Sequence, residues 1–225
     1  MTPHLDEVAV EEFRRRVIAW YEKSGDKHLP WRKVKDGWAV LVASLLLRKT
    51  TVAQVAEIYE RLLKKFPSPQ SLLSAGESEL VELIRPLGIH QRARQLRELA
   101  KVLVERFGGR VPCSREELKK LPGIGDYIAA EVLLRVCGQP EPLLDRNMIR
   151  VIERVFGVKS ARKRPHTDPE LWSFARGLVP KDPEEAEKFN FGVLDFARKV
   201  CRARSPRCTE CFVTDLCQHL RENVR

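Results

Sequence analysis

Apolar residues along this chain recur at intervals of three and four, and the alternation in twos that marks a half-buried strand is nowhere sustained. The pattern predicts helices from end to end. Over residues 11–24 it sets Phe13, Val17, Trp20 and Tyr21 on one face, with Gly25 as the stop. Residues 38–47 are apolar almost all round, which suits a helix enclosed on every side. Residues 51–66 bring Val52, Val55, Ala56, Tyr59, Leu62, Leu63 and Phe66 to one stripe, and short helices are expected at 70–75 and 78–84, bounded by Pro69, Gly76 and Pro86. A longer amphipathic helix covers 91–107 and ends at Gly108-Gly109; Ser114-Arg115-Glu116-Glu117 then reads as a capping box. Further helices are predicted at 148–156, 169–179 and 183–200, with the basic turn Lys159-Ser160-Ala161-Arg162-Lys163-Arg164 between the first two. The fold class is all-α.

Composition changes this picture in one respect. The 225 residues suffice for one large or two small domains with a real core, and 41 Lys and Arg against 31 Asp and Glu leave a formal charge of +10, so a polyanion is a plausible partner. No apolar run is long enough to span a bilayer, and the first residues have neither the basic nor the apolar region of a secretory signal. A cytosolic protein with no membrane partner is expected.

Two stretches carry the chemistry. In Leu121-Pro122-Gly123-Ile124-Gly125-Asp126-Tyr127 two glycines stand where a Cβ-free backbone turns tightly and approaches another molecule closely, and the helix that follows, packed by apolar residues 128–137, aims its amides at an anion such as a DNA phosphate. Asp145, in Leu143-Leu144-Asp145-Arg146-Asn147, stands before the 148–156 pattern; it reads first as an N-cap, and a helix start favours its ionised form. Near the end come Cys201-x6-Cys208-x2-Cys211-x5-Cys217, without a secretory signal to suggest disulfides. Zinc usually shows two CxxC pairs, whereas one x2 spacing between longer gaps suits a cubic iron–sulfur cluster better. Cys113 and Cys137 lie outside the set and are expected to be unremarkable thiols.

Hairpin, aspartate and cysteine spacing together resemble the helix-hairpin-helix DNA glycosylases that carry an iron–sulfur cluster, over nearly the whole chain, and most closely the archaeal-type thymine and uracil G-mismatch enzymes. The resemblance implies a two-lobed fold: residues 29–137 as a six-helix barrel lobe with the hairpin, and 1–28 plus 138–225 as the lobe holding the cluster loop, 201–217. Between them would lie double-stranded DNA with its mismatched or damaged base flipped out. It implies a [4Fe-4S] cluster on Cys201, Cys208, Cys211 and Cys217, and Asp145 as the essential carboxylate beside an oxocarbenium-like sugar.

The position that bears a Schiff-base lysine in the endonuclease III branch is Tyr127 here, and a phenol forms no imine, so a monofunctional glycosylase without efficient strand cleavage is expected; Tyr127 would line the pocket, its alternative being a packing residue. Adenine-mismatch enzymes carry a glutamate at the position of Ser44 and glutamines at those of Arg48 and Lys49, and none of the three is present. Ser44 departs from the thymine and uracil group as well. By the same resemblance Ser44 and Phe191 line the base pocket, while Arg48, Lys49, Ile89, Gly123 and Gly125 meet DNA, Arg48 and Ile89 as wedges. The protein would act as a monomer at the nucleoid. Two other classes remain: an adenine-mismatch glycosylase lacking its oxidised-guanine domain, and a lesion-binding protein without catalysis.

Overall fold

The computed structural model describes residues 6–88 and 91–223, and every regular element among them is helical. In chain order these are α1 (Glu7–Ser24), α2 (Gly37–Leu46), α3 (Val52–Lys65), α4 (Pro69–Ser74), α5 (Glu77–Ile84), α6 (Gln91–Phe107), α7 (Arg115–Lys119), α8 (Asp126–Arg135), α9 (Arg146–Phe156), α10 (Pro169–Leu178), α11 (Pro183–Lys199) and α12 (Gln218–Asn223), joined by turns and short 3-10 segments. Among the described residues no helix is long and apolar enough to cross a membrane. Contacts divide the chain into two compact units: one is Lys27–Gly138, and the other joins the chain up to Asp26 with Gln139 onward.

In the first unit α2 is the core. Every residue from Trp38 to Leu46 is buried, with α3, α6 and α8 packed against it. Polar atoms carried inward find partners, as burial demands: Trp38 Nε1 donates to the Phe66 carbonyl at 3.0 Å and the Tyr59 hydroxyl to the Ala39 carbonyl at 3.1 Å. In the second unit α1 lies along α11, and α11 along α9. Aromatic rings bind that assembly: Phe13 meets Phe156 and Phe189 edge-on at 5.2 and 5.9 Å, and Phe196 lies 4.7 Å from Phe212.

The helix periods hold, and the local differences have causes. Helix α1 starts at Glu7 rather than 11, because the Asp6 carboxylate accepts from the Val8 and Ala9 amides and caps it early. Ser114 accepts from the Glu117 amide, but its hydroxyl meets Glu116, so only half of the expected capping box forms. Helix α12 has six residues, too few for a period to show. The expectation for Cys113 and Cys137 fails outright: they are joined in a disulfide, with Cα atoms 5.7 Å apart. Cys113 lies just before α7 and Cys137 just after α8, so the hairpin itself brings them together.

Candidate active site

The turn between α7 and α8 is built by one glycine rather than two. Gly123 has φ +78°, a region closed to most side chains, and a Cβ there would stand 2.3 Å from Gln95 Nε2. Gly125 is extended, at φ −99°, so the turn does not require it. What distinguishes Gly125 is space: a Cβ at that position would meet nothing within 4 Å, and no side chain caps α8. The start of α8 therefore offers bare amides to an anion. Asp126, the nearest carboxylate, is turned to Lys119 Nζ at 2.7 Å.

Beside the hairpin lies the loop between α2 and α3. Arg48 and Lys49 are exposed; Arg48 Nη1 donates to the Gly123 carbonyl at 3.1 Å, and Lys49 takes φ +57°, unusual for a side-chain-bearing residue. Underneath, buried Arg92 donates through Nη1 to the Leu46 carbonyl and to Thr50 Oγ1, which fixes both ends of the loop. Tyr127, in the first turn of α8, is half-buried against the core of its unit. Ile89 lies outside the described residues.

Ser44 is only 5 % exposed, and its hydroxyl lies 2.8 Å from both the Val40 carbonyl and Glu131 Oε2. Glu131 in turn accepts from Arg135 Nη1 at 3.2 Å, and Arg135 Nη2 donates to the Trp31 and Val34 carbonyls. This pair was not among the expected site residues, although a Glu and an Arg four apart inside the apolar run of α8 were the available signal. Phe191, in the other unit, is 4 % exposed, with its ring centroid 6.4 Å from that of Tyr21.

Asp145 is the N-cap of α9. Its Oδ1 accepts from the Asn147 and Met148 amides at 2.8 and 2.9 Å, and its Oδ2 from Asn147 Nδ2 at 2.6 Å. The segment before it is pinned by fully buried Asn190, whose Oδ1 accepts from the Leu143 amide at 2.7 Å and whose Nδ2 donates to the Glu141 and Ala186 carbonyls. A second set of bonds runs onward: Arg150 Nη2 donates to Asn147 Oδ1 at 3.2 Å and to the Ala197 carbonyl at 2.8 Å, and Nε to the Cys201 carbonyl at 2.9 Å. Neither Asn190 nor Arg150 was singled out beforehand; a lone amide inside the apolar stretch of α11 was the signal for the first. Burial raises the Asp145 carboxyl above the ordinary aspartate value, against the bonds from Met148 and Asn147 and the charge of Arg150, which lower it. The helix start alone suggested the opposite sign. Desolvation outweighs it.

The thiols of Cys201, Cys208, Cys211 and Cys217 are free and line one cavity with Val155, Phe196, Val200 and Val213. Among the described residues, no three His, Cys, Asp or Glu side chains gather as ligands of a metal ion. Burial pushes the Cys211 thiol up to about 11 and that of Cys217 upward too, with the neighbouring sulfurs adding to the shift. Sulfurs lining an apolar cavity call for positive charge, and Arg154 Nη1 supplies a donor 3.5 Å from Cys201 Sγ while bonding the Arg202 carbonyl. This donor set fits an iron–sulfur group.

An uncapped helix start after a glycine turn, a half-buried capping carboxylate and a cysteine-lined cavity agree with a helix-hairpin-helix DNA-repair protein, and comparison with known proteins shows the family. Residues 42–176 match the model of the HhH-GPD superfamily base excision DNA repair protein, and residues 201–217 that of the iron–sulfur binding domain of endonuclease III. A thymine-DNA glycosylase of Aeropyrum pernix is 63% identical over 95% of this chain and 96% of its own length. A thymine/uracil-DNA glycosylase of Pyrobaculum aerophilum is 63% identical over 89% of this chain and 87% of its own. The structure of a thermostable thymine-DNA glycosylase superimposes with a TM-score of 0.89 at 32% identity, covering 96% of this chain and 98% of that one. The chain belongs to the HhH-GPD superfamily of base excision DNA repair proteins, and it is a DNA N-glycosylase with an iron–sulfur binding segment.

Proposed function

We propose that this glycosylase releases thymine or uracil mispaired with guanine, by hydrolysis and without efficient cutting of the strand. The two relatives at 63% identity are named for thymine and for thymine and uracil, which supports the choice of base. The single observation that carries the mechanism is Asp145, a carboxylate oriented by three donors at the head of α9. A base extruded from the duplex exposes its glycosidic bond. As that bond breaks the sugar gains oxocarbenium character, which the ionised Asp145 stabilises while it activates water. Tyr127 carries no amine, so no imine to the sugar forms there; its ring faces the base.

Lobes 29–137 and 1–28 with 138–225 divide the labour, the first holding the hairpin and the second the acid. Gly123 and Gly125 receive a phosphate on the α8 amides, and Arg48 and Lys49, with Ile89, meet the duplex around the gap. By the family resemblance Ser44 and Phe191 would line the base pocket. Cys201, Cys208, Cys211 and Cys217 would hold a [4Fe-4S] cluster, whose contribution is to order the basic loop around it, since four thiolates leave the iron no open position. The protein works on double-stranded DNA as a monomer, at the nucleoid.

Duplexes bearing T, U or A opposite G, and A opposite oxidised G, test this when base release is compared with and without alkali. Release of T and U from G, with strand breaks only after alkali, is expected. Breaks before alkali sink the hydrolytic mechanism, and preferential loss of A sinks the base assignment.

A further inference from the structure

The basic turn between α9 and α10 takes no part in the site described above. From Gly157 to Thr167 the chain has four cations and no acid, and Lys159, Arg162, Lys163 and Arg164 are all exposed. The turn is braced from within. The Ser160 hydroxyl donates to Asp168 Oδ2 and accepts from the Arg162 amide at 3.0 Å; Arg162 Nη1 donates to the Thr167 carbonyl at 3.0 Å, and Thr167 Oγ1 to the Arg164 carbonyl at 2.8 Å. The closest carboxylate in sequence, Asp168, is buried and already engaged, bonding Ser160 and capping α10 through the Glu170 amide.

Among the described residues Lys159, Lys163 and Arg164 have no ion pair, so the braces use the acid inside and leave like charges outside. Complementing the dipole of α9 accounts for little of this, because that effect fades within the last helical turn, where Arg154 already stands. Holding like charges together in an ordered turn raises their mutual repulsion, and a polyanion relieves it.

We propose that the 159–164 turn is a second grip on the DNA backbone, away from the released base; this rests on the DNA-glycosylase assignment above. Asp145 caps the start of α9 and the turn follows its end, so 11 residues of helix separate them, about 16 Å. The turn is thus set well apart from the carboxylate that the proposed mechanism uses.

The test is Lys159→Gln/Lys163→Gln/Arg164→Gln, which spares Arg162 because its guanidinium is a brace. Binding to undamaged duplex is measured by fluorescence anisotropy across a range of salt, with the wild type and a control, Lys64→Gln/Lys101→Gln/Lys181→Gln, that removes equal charge elsewhere. Each phosphate contact contributes about 0.9 to the slope of log K against log salt, so the triple variant is expected to lose about 2 to 3 and the control less than about 0.5. Base release at saturating enzyme stays unchanged. Equal slopes for the triple variant and the wild type overturn the proposal, as does a control that falls as far. A wild type that binds no duplex overturns this proposal and the DNA-glycosylase assignment together; a wild type that binds and releases base normally beside an unaltered triple variant overturns this one alone.

Discussion

Helices α8 and α9 begin in opposite ways. At α8 a glycine with open space around it leaves the first amides without a side-chain cap; at α9 a carboxylate takes two of them for itself. The same unsatisfied N–H groups exist at both ends. Left bare, such groups are open to an anion; filled from within, they hold a carboxylate in place. The supports differ in kind as well. The hairpin of α8 is enclosed by the Cys113–Cys137 disulfide, whereas the Asp145 side chain accepts from Asn147, which Arg150 holds in turn while reaching the backbone of Cys201, and Asn190 pins the Leu143 amide just before it. One helix start is left open and the other is filled from within.

The contrast breaks most readily at Asp145. Asp145→Asn keeps a good cap, since asparagine accepts the same amides, and removes the charge. Single-turnover release of thymine from a G·T duplex is expected to fall by roughly a thousandfold, in the range of general acid–base contributions, with the melting temperature nearly unchanged. Retention of a tenth of the rate would end the claim that the acid is what the clamp is for. The disulfide comes next. Cys113→Ser/Cys137→Ser is expected to lose about 3 kcal/mol of stability in denaturant unfolding, because the closed loop no longer restrains the unfolded chain, while iron content stays the same. An unaltered midpoint means that the hairpin needs no staple.

A finer test uses pH. In the proposed mechanism Asp145 acts when ionised, and its carboxyl keeps the proton above the ordinary 3.8, so release is expected to rise as pH climbs through that raised value and to level off beyond it. Arg150→Gln removes a charge that opposes the shift, moving the acid limb further up and lowering the rate at neutral pH by roughly tenfold, the worth of one charge-assisted hydrogen bond. A limb that stays put shows that Arg150 braces the loop without acting on the acid. The smallest effect is at Gly125. A methyl there clashes with nothing, so Gly125→Ala should leave stability within about 0.5 kcal/mol and weaken duplex binding several-fold by crowding the phosphate. Equal affinity for the two proteins would mean the open space has no visitor.

The parts legible in sequence were those with a local signature. Helix periods, the LPGIG turn and the Cys201 to Cys217 spacing all declare themselves within a few neighbours. What escaped was set by distance along the chain. Cys113 and Cys137 are 24 residues apart with no spacing motif to pair them, and Arg150 meets a carbonyl that lies 51 positions on. Asp145 shows a different failure: cap and dipole are local and were weighed, but burial is a property of the folded unit and decided the sign. Ser44 likewise could be compared with a glutamate at its own position, but not with the Glu131 that α8 brings beside it.

Six thiols permit fifteen complete pairings, and this molecule uses one bond and leaves four sulfurs reduced. Position along the chain lightens that sorting problem. Both partners of the bond emerge during synthesis before any of the four does, so their union can be complete while the rival sulfurs are still unmade. The later four then meet only each other.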